Sequence, residues 1–360
     1  MTGEGIATTQ SPATWTSRFL RADDLPALLD LVRTAFARWP AAEITVDPLE
    51  HLGWKAASDP DALHYGTIAE ADGRAVGVQF VFLQRVLVRG RVLRSAQGFD
   101  LCVHPDFQNL GVMSEMRAFA WPEYGRTFDM RIGPPTHGPL DKLRRREGSK
   151  YLANEVEVLT CPLWSRTPPA KLGRTLFATA VRALWRALDR GSRDAWTLQE
   201  VPSFDERIDA FFEEAAKPFE FIIVRSSDYL NWRYADPRSG SFTITLAEQD
   251  GRVLGYSVLT MARGRGCIAD LLVLPGRQDV LRSLVRHAIT SFQDKGLATV
   301  ECWCPRVHPY RSVLWRHGFV HVQRVLDVST GTWLAPPDEL AFLDDPGAAV
   351  HFVAGDTDWV

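Results

Sequence analysis

The segment Val103-His104-Pro105-Asp106-Phe107-Gln108-Asn109-Leu110-Gly111-Val112-Met113 combines residue types and spacing suited to holding an anion. It joins a strand-like apolar run to a stretch in which Val112, Met116 and Ala120 recur at helical spacing. The turn therefore aims a helix N-terminus, whose free N–H groups and positive dipole end favour a phosphate or pyrophosphate. Glycine at 111 leaves open backbone that a side chain would cover. A capped helix after a tight turn, with no ligand, is the plainer reading of the same residues.

The flanking sequence supplies elements to position this loop. Asp23 and Asp24 open a helix with Pro26 in its first turn, and Leu25, Leu28, Leu29, Val32 and Phe36 repeat with helical period. Strands dominate from Tyr65 to Val103. A helix is expected from about Gly111 to Phe119, a strand from Phe128 to Ile132 and a short helix from Leu140 to Arg146. The order predicts an α/β (α+β) domain with a mixed, mostly antiparallel sheet flanked by helices.

Three features of this unit recur farther along. Ala69-Glu70-Ala71-Asp72-Gly73-Arg74 is matched by Ala247-Glu248-Gln249-Asp250-Gly251-Arg252, each reading as strand, Asp-Gly hairpin turn and strand. Asp100-Leu101-Cys102-Val103-His104-Pro105 is matched by Asp270-Leu271-Leu272-Val273-Leu274-Pro275, and Arg146-Glu147-Gly148-Ser149 by Arg316-His317-Gly318-Phe319. The last two pairs share an offset of 170 residues, which sets Gln278 opposite Gln108, Leu281 opposite Gly111 and Ser283 opposite Met113. A leucine in place of the glycine should block an anion, so the second copy is expected to bind none. The predicted organisation is a flexible N-terminus (1–15), a first domain with the anion site (16–161), a helical linker (162–217), a degenerate second domain (218–332) and an acidic tail (333–360). The linker helix rests on Leu176, Val181, Leu184 and Leu188.

At 360 residues two domains are the expected count. A net charge of −3 supplies no field for nucleic acid or an anionic membrane, so neither is an expected partner. Residues 1–15 lack a basic stretch followed by an apolar one, which predicts a cytoplasmic protein; a monomer or homodimer is the expected assembly. Cys102, Cys161, Cys267, Cys302 and Cys304 form no even framework and no metal-spaced pairs, so buried free thiols and no metal are expected.

The run Val-x-Pro-x-x-Gln-x-x-Gly, after a strand and opening a helix, resembles the acyl-CoA-binding motif of the GNAT superfamily of N-acyltransferases. The match covers Gln108 and Gly111 and departs at Met113, where the family prefers Gly or Ala. The resemblance spans about residues 16–161 and, more weakly, 218–332, and implies two GNAT-like domains in tandem. It implies that backbone at Leu101, Cys102 and Val103 pairs with a pantetheine arm. Gln108, Asn109, Leu110, Gly111, Val112 and Met113 would then surround the pyrophosphate of acetyl-CoA or another acyl-CoA, with Ser114 adding a hydroxyl.

Amine acylation needs a base for the attacking nitrogen and a proton or other stabilisation for the departing thiolate. The family's usual Glu falls near Gln97 and its usual Tyr at Arg144, so neither standard group is present. Asp100 is the nearest carboxylate and His137 stands where the family often has Asn. These two are the candidate catalytic residues, beside a water-relayed route. Arg144-Arg145-Arg146 reads as a solvated helix face, with one arginine available to the CoA 3′-phosphate. Tyr229 to Tyr234 reads as core, or else as an acceptor contact. The expected function is transfer from acyl-CoA, acetyl above all, to an amine of a small molecule such as an antibiotic-like or amino-sugar metabolite. A non-catalytic acyl-CoA sensor or scaffold, and a Fem-like aminoacyl-tRNA-dependent transferase, are the alternatives.

Overall fold

The computed structural model describes residues 14–40, 43–56, 62–135, 139–163, 176, 179–180 and 196–358. Residues 1–13, His137 and the linker positions 181, 184 and 188 lie outside them. The first half contains β1 (Thr16–Phe19), α1 (Leu25–Ala35), α2 (Pro48–Ala56), α3 (Ala62–Tyr65), β2 (Thr67–Ala71), β3 (Arg74–Val88), β4 (Arg91–Val103), α4 (Val112–Thr127), β5 (Met130–Gly133), α5 (Pro139–Arg146), β6 (Lys150–Tyr151) and β7 (Val156–Pro162). The second contains β8 (Thr197–Val201), α6 (Arg207–Ala215), β9 (Phe221–Ile223), α7 (Ser227–Leu230), β10 (Phe242–Gln249), β11 (Arg252–Ala262), β12 (Arg265–Val273), α8 (Gln278–Asp294), β13 (Thr299–Pro305), α9 (Arg311–Arg316), β14 (Val320–Leu326), β15 (Ser329–Thr332) and β16 (Val350–His351).

Turn chemistry explains the shared plan. Asp72-Gly73 and Asp250-Gly251 all take positive φ, as do Arg89-Gly90 and Arg263-Gly264. Such two-residue turns match the twist of the strands they join. Each half thus has two hairpins in succession, β2-β3-β4 and β10-β11-β12. Ala69 faces Gly77 and Ala247 faces Gly255, with a bulge immediately after in both.

Both sheets are mixed and mostly antiparallel: β4 runs parallel to β5, and β12 parallel to β13. The first sheet is ordered β1-β2-β3-β4-β5-β15-β6, with β9 also on β3 and β16 on β9. The second is ordered β14-β7-β13-β12-β11-β10-β8. The halves therefore exchange strands: β7 inserts between β13 and β14, while β15 inserts between β5 and β6.

This exchange revises the expected boundaries. The segment 16–161 contributes nearly all of β7 to the second sheet, and 218–332 contributes β15 to the first. The segment 162–217 includes an edge strand, β8, and α6, which buries Ile208, Phe211 and Phe212. Residues 333–358 are no loose tail, since Leu343, Val350, Phe352 and Ala354 are buried in the large core.

Candidate functional site

Strand β4 leaves regular pairing just before the predicted anion loop. Cys102 faces Val78 and Phe99 faces Phe80, so Asp100 and Leu101 together oppose Gln79 as a bulge, with Asp100 at φ +42. Parallel pairing of β4 with β5 stops at Gln97 and Ile132. Beyond it lies a cavity of about 580 Å³. The predicted cofactor residues Leu101 to Val103 and Gln108 to Ser114 line it, Leu110 excepted, which stands exposed. Phe36 closes one side, and Leu140, Lys142, Leu143 and Arg146 of α5 the other.

The loop is shaped by two left-handed residues, Asn109 at φ +65 and Gly111 at φ +99. No atom lies within 4 Å of where a Cβ on Gly111 would stand, so the backbone there is open. Helix α4 starts at Val112, and Val112, Met113 and Ser114, whose N–H groups precede the first intrahelical bond from Glu115 to Gly111, line the cavity. Gln108 does not reach into the cavity as a simple ligand: its amide donates to the Val103 carbonyl at 3.2 Å and braces the loop against the strand end.

A second cavity of about 320 Å³ shares Phe36, Leu101 and Leu140 with the first. Its floor carries an ion cluster. Lys55 Nζ lies 2.6 Å from Asp100 and 3.9 Å from Asp358, and the Asp100 N–H donates to Asp358 at 3.4 Å. Burial and the neighbouring Asp100 carboxylate hold Asp358 above the usual carboxylate range, against the pull of Lys55. Arg38, Arg144 and Arg263 also line this space.

Asp100 is thus ion-paired on α2's lysine, while Asp358 is the less engaged carboxylate. Neither Lys55 nor Asp358 had a readable role in the sequence; the acidic tail was visible but its destination was not. Gln97, at the family's usual Glu position, is fully buried and donates to the Asp356 carbonyl at 3.0 Å, helping to lay the C-terminal segment across the sheet.

The arginine run also divides. Arg145 and Arg146 are exposed as a solvated face would be, but Arg144 is buried and donates to the Pro134 carbonyl at 2.5 Å. Among Tyr229 to Tyr234, Trp232 stacks on Trp54 at 5.0 Å and Tyr234 donates to Asp270, and none lines either cavity. The five cysteines are buried free thiols. Among the described residues no helix is long and apolar enough to cross a membrane, and no group of three or more His, Cys, Asp or Glu could hold a metal.

The second half keeps the plan but closes the slot. Val112, Met116, Ala120 and Tyr124 are the buried stripe of α4, and Val280, Leu284, Ala288 and Phe292 the matching stripe of α8. The helices therefore align at an offset of 168, because six residues (274–279) separate β12 from the first stripe residue of α8, against eight (104–111) between β4 and that of α4. This corrects the pairing of Leu281 with Gly111: Leu281 is a buried residue inside the helix, and Asp279, in the first turn of α8, is the residue that aligns with the glycine when the stripes are matched. Its carboxylate is held by Arg277 at 2.7 Å and by Trp196 Nε1 at 3.1 Å. Arg277 and its hydrogen bonds draw Asp279 down to about 2, so the helix end already has its own anion. The strand end is occupied too, since the Val273 N–H donates to the Tyr310 hydroxyl at 2.9 Å.

No protein-family model matches the sequence, and no curated protein matches it significantly. Solved structures do share its fold. A GCN5-related N-acetyltransferase from Anabaena variabilis superposes with a TM-score of 0.64 at 10% identity, covering 89% of this chain and 73% of that one. One from Kribbella flavida gives 0.59 at 13%, covering 91% and 73%. Saccharomyces cerevisiae N-myristoyltransferase with bound myristoyl-CoA and inhibitors gives 0.61 at 11%, covering 93% and 83%. The chain has the GNAT fold, in tandem.

Proposed function

We propose that the protein is an N-acyltransferase that takes an acyl-CoA in the larger cavity and a small-molecule amine in the smaller one. The observation that carries this reading is the meeting of three features at one cavity: the free end of β4, the open Gly111 backbone and the first turn of α4. They suit a pantetheine arm and a pyrophosphate, and Lys142 and Arg146 stand where further phosphate charge can be met. The GNAT fold of the neighbouring structures supports the same assignment.

The bound thioester supplies an activated acyl carbon. Phe36, Leu101 and Leu140, common to both cavities, mark where that carbon meets the amine. Asp358 accepts the proton that the amine sheds, being the carboxylate without a short ion pair. Lys55 is fixed by Asp100, and their pair orients Asp358 through the Asp100 N–H. Asp100 is on this account a positioning residue, not the base.

Calorimetry with CoA and thiol release from acetyl-CoA with a panel of amines test the proposal. One CoA per chain and turnover with at least one amine are expected. Absence of CoA binding ends the reading, and tight binding with no turnover on any amine would instead favour a sensor.

A further inference from the structure

A third, much smaller cavity of about 30 Å³ lies between β4 and β5, next to the proposed acyl site. Leu101 lines all three spaces, and Gly98 and Arg144 line both this one and the acceptor cavity. Its walls include Arg117, Arg131 and Arg144 together with Trp121 and Trp333. Three guanidinium groups thus surround a space that fits about two water-sized atoms.

Among the described residues, one carboxylate pairs with them at short range. Arg117 makes a two-pronged pair with Glu147, at 2.8 and 2.5 Å. Arg131 donates to the Glu147 carbonyl at 2.9 Å and the Ser149 hydroxyl at 3.2 Å, and its buried Nε has no acceptor. Arg144 bonds the Pro134 carbonyl. Among the described residues neither Arg131 nor Arg144 has a carboxylate within 4 Å. Burial depresses both, Arg144 to about 10, with repulsion from Arg117 adding to it and the more distant Glu147 carboxylate offsetting it only in part. Gln79, on the far wall, leaves its buried amide oxygen unbonded.

The second half shows that the fold does not require this cluster. The small cavity there, about 10 Å³ beside β12 and β13, is lined by Leu271, Trp303, Tyr310, His308, His351 and Val353. Burial holds His308 down to about 3, and His351 is likewise depressed, so this space is uncharged at neutral pH.

Buried cations without anions are costly, and a guanidinium matches a carboxylate with two parallel hydrogen bonds. We infer that Arg131 and Arg144 receive the distal carboxylate of the acyl group, making the donor the CoA thioester of a short dicarboxylic acid. The inference rests on the proposed acyl-CoA reading. No new bond chemistry is involved; the thioester reacts as before and the distal carboxylate stays ionised.

Calorimetric titration of the full chain with CoA, butyryl-CoA, succinyl-CoA and glutaryl-CoA tests it. Free CoA should bind, and succinyl- or glutaryl-CoA should bind about tenfold tighter than butyryl-CoA, the worth of one charge-assisted hydrogen bond. Arg131→Gln and, separately, Arg144→Gln should abolish that preference while leaving CoA affinity unchanged. Thermal unfolding checks that each variant folds, and the wild-type preference stands as evidence independent of both. Equal binding of succinyl-, glutaryl- and butyryl-CoA beside normal CoA affinity overturns the inference and leaves the acyltransferase reading intact. Failure of CoA itself to bind overturns both. If instead the variants raise KM only for amines that carry a carboxylate, the anion belongs to the acceptor and the inference is wrong.

Discussion

Asp100 and Asp270 hold the same place on equivalent strands, and each meets a cation and an aspartate from one C-terminal segment. In the first half the partners are Lys55 and Asp358; in the second they are Arg225, 3.4 Å from Asp270, and Asp356, 2.7 Å from Arg225. The second cluster is sealed, with all three side chains at most 1% exposed. The first opens on a cavity. One arrangement of charge thus yields a clamp where water is excluded and, on the proposed function, a reactive carboxylate where a substrate enters. Asp279 and Tyr310 extend the contrast, holding in the second half the helix end and strand end that line an open cavity in the first.

The comparison breaks most decisively at Asp358. Asp358→Asn should lower kcat about 10²-fold or more with CoA affinity unchanged. A base works ionised, so wild-type rate should climb with pH through a pKa above the ordinary carboxylate range, and this limb should vanish in the variant. A variant with full turnover would remove the distinction between clamp and catalyst. Asp356→Ala should destabilise the fold by about 3 kcal/mol, because it leaves Arg225 buried with a single, longer ion pair; guanidinium unfolding measures this, and an unchanged midpoint would deny the clamp.

Gly111→Asp brings the second half's carboxylate to the first helix end. It should weaken CoA binding by about 2 kcal/mol, from repulsion at the phosphate and from strain at φ +99. Affinity within twofold of wild type in calorimetry would contradict the proposed cradle. The smallest effect is expected for Tyr310→Phe, about 1 kcal/mol of stability from the lost hydrogen bond. Stoichiometry should stay at one CoA per chain, since Asp279 still blocks the helix end; two would show that the tyrosine alone closes the slot.

Much of each half was legible because its signals are local. Asp72-Gly73 and Asp250-Gly251 announce hairpins, the α1 and α8 stripes announce helices, and the strand–glycine–helix order announces the loop that lines the main cavity. The offset of 170 held for β4 and β12 and for the turns at Gly148 and Gly318 that end α5 and α9, and failed for α4 and α8, since a strand-to-helix spacing two residues shorter leaves no periodic mark of its own.

The exchange of β7 and β15, the burial of Arg144 within an apparent charge run, and the arrival of Asp358 beside Asp100 were decided only in three dimensions. Turn residues and hydrophobic period act over a few neighbouring positions, so the chain itself determined the duplicated hairpins and helices and the glycine loop. Which open strand edge is filled, and which charge is stripped of water, depends on segments hundreds of residues apart competing for one core, as Asp358 and Asp100 show.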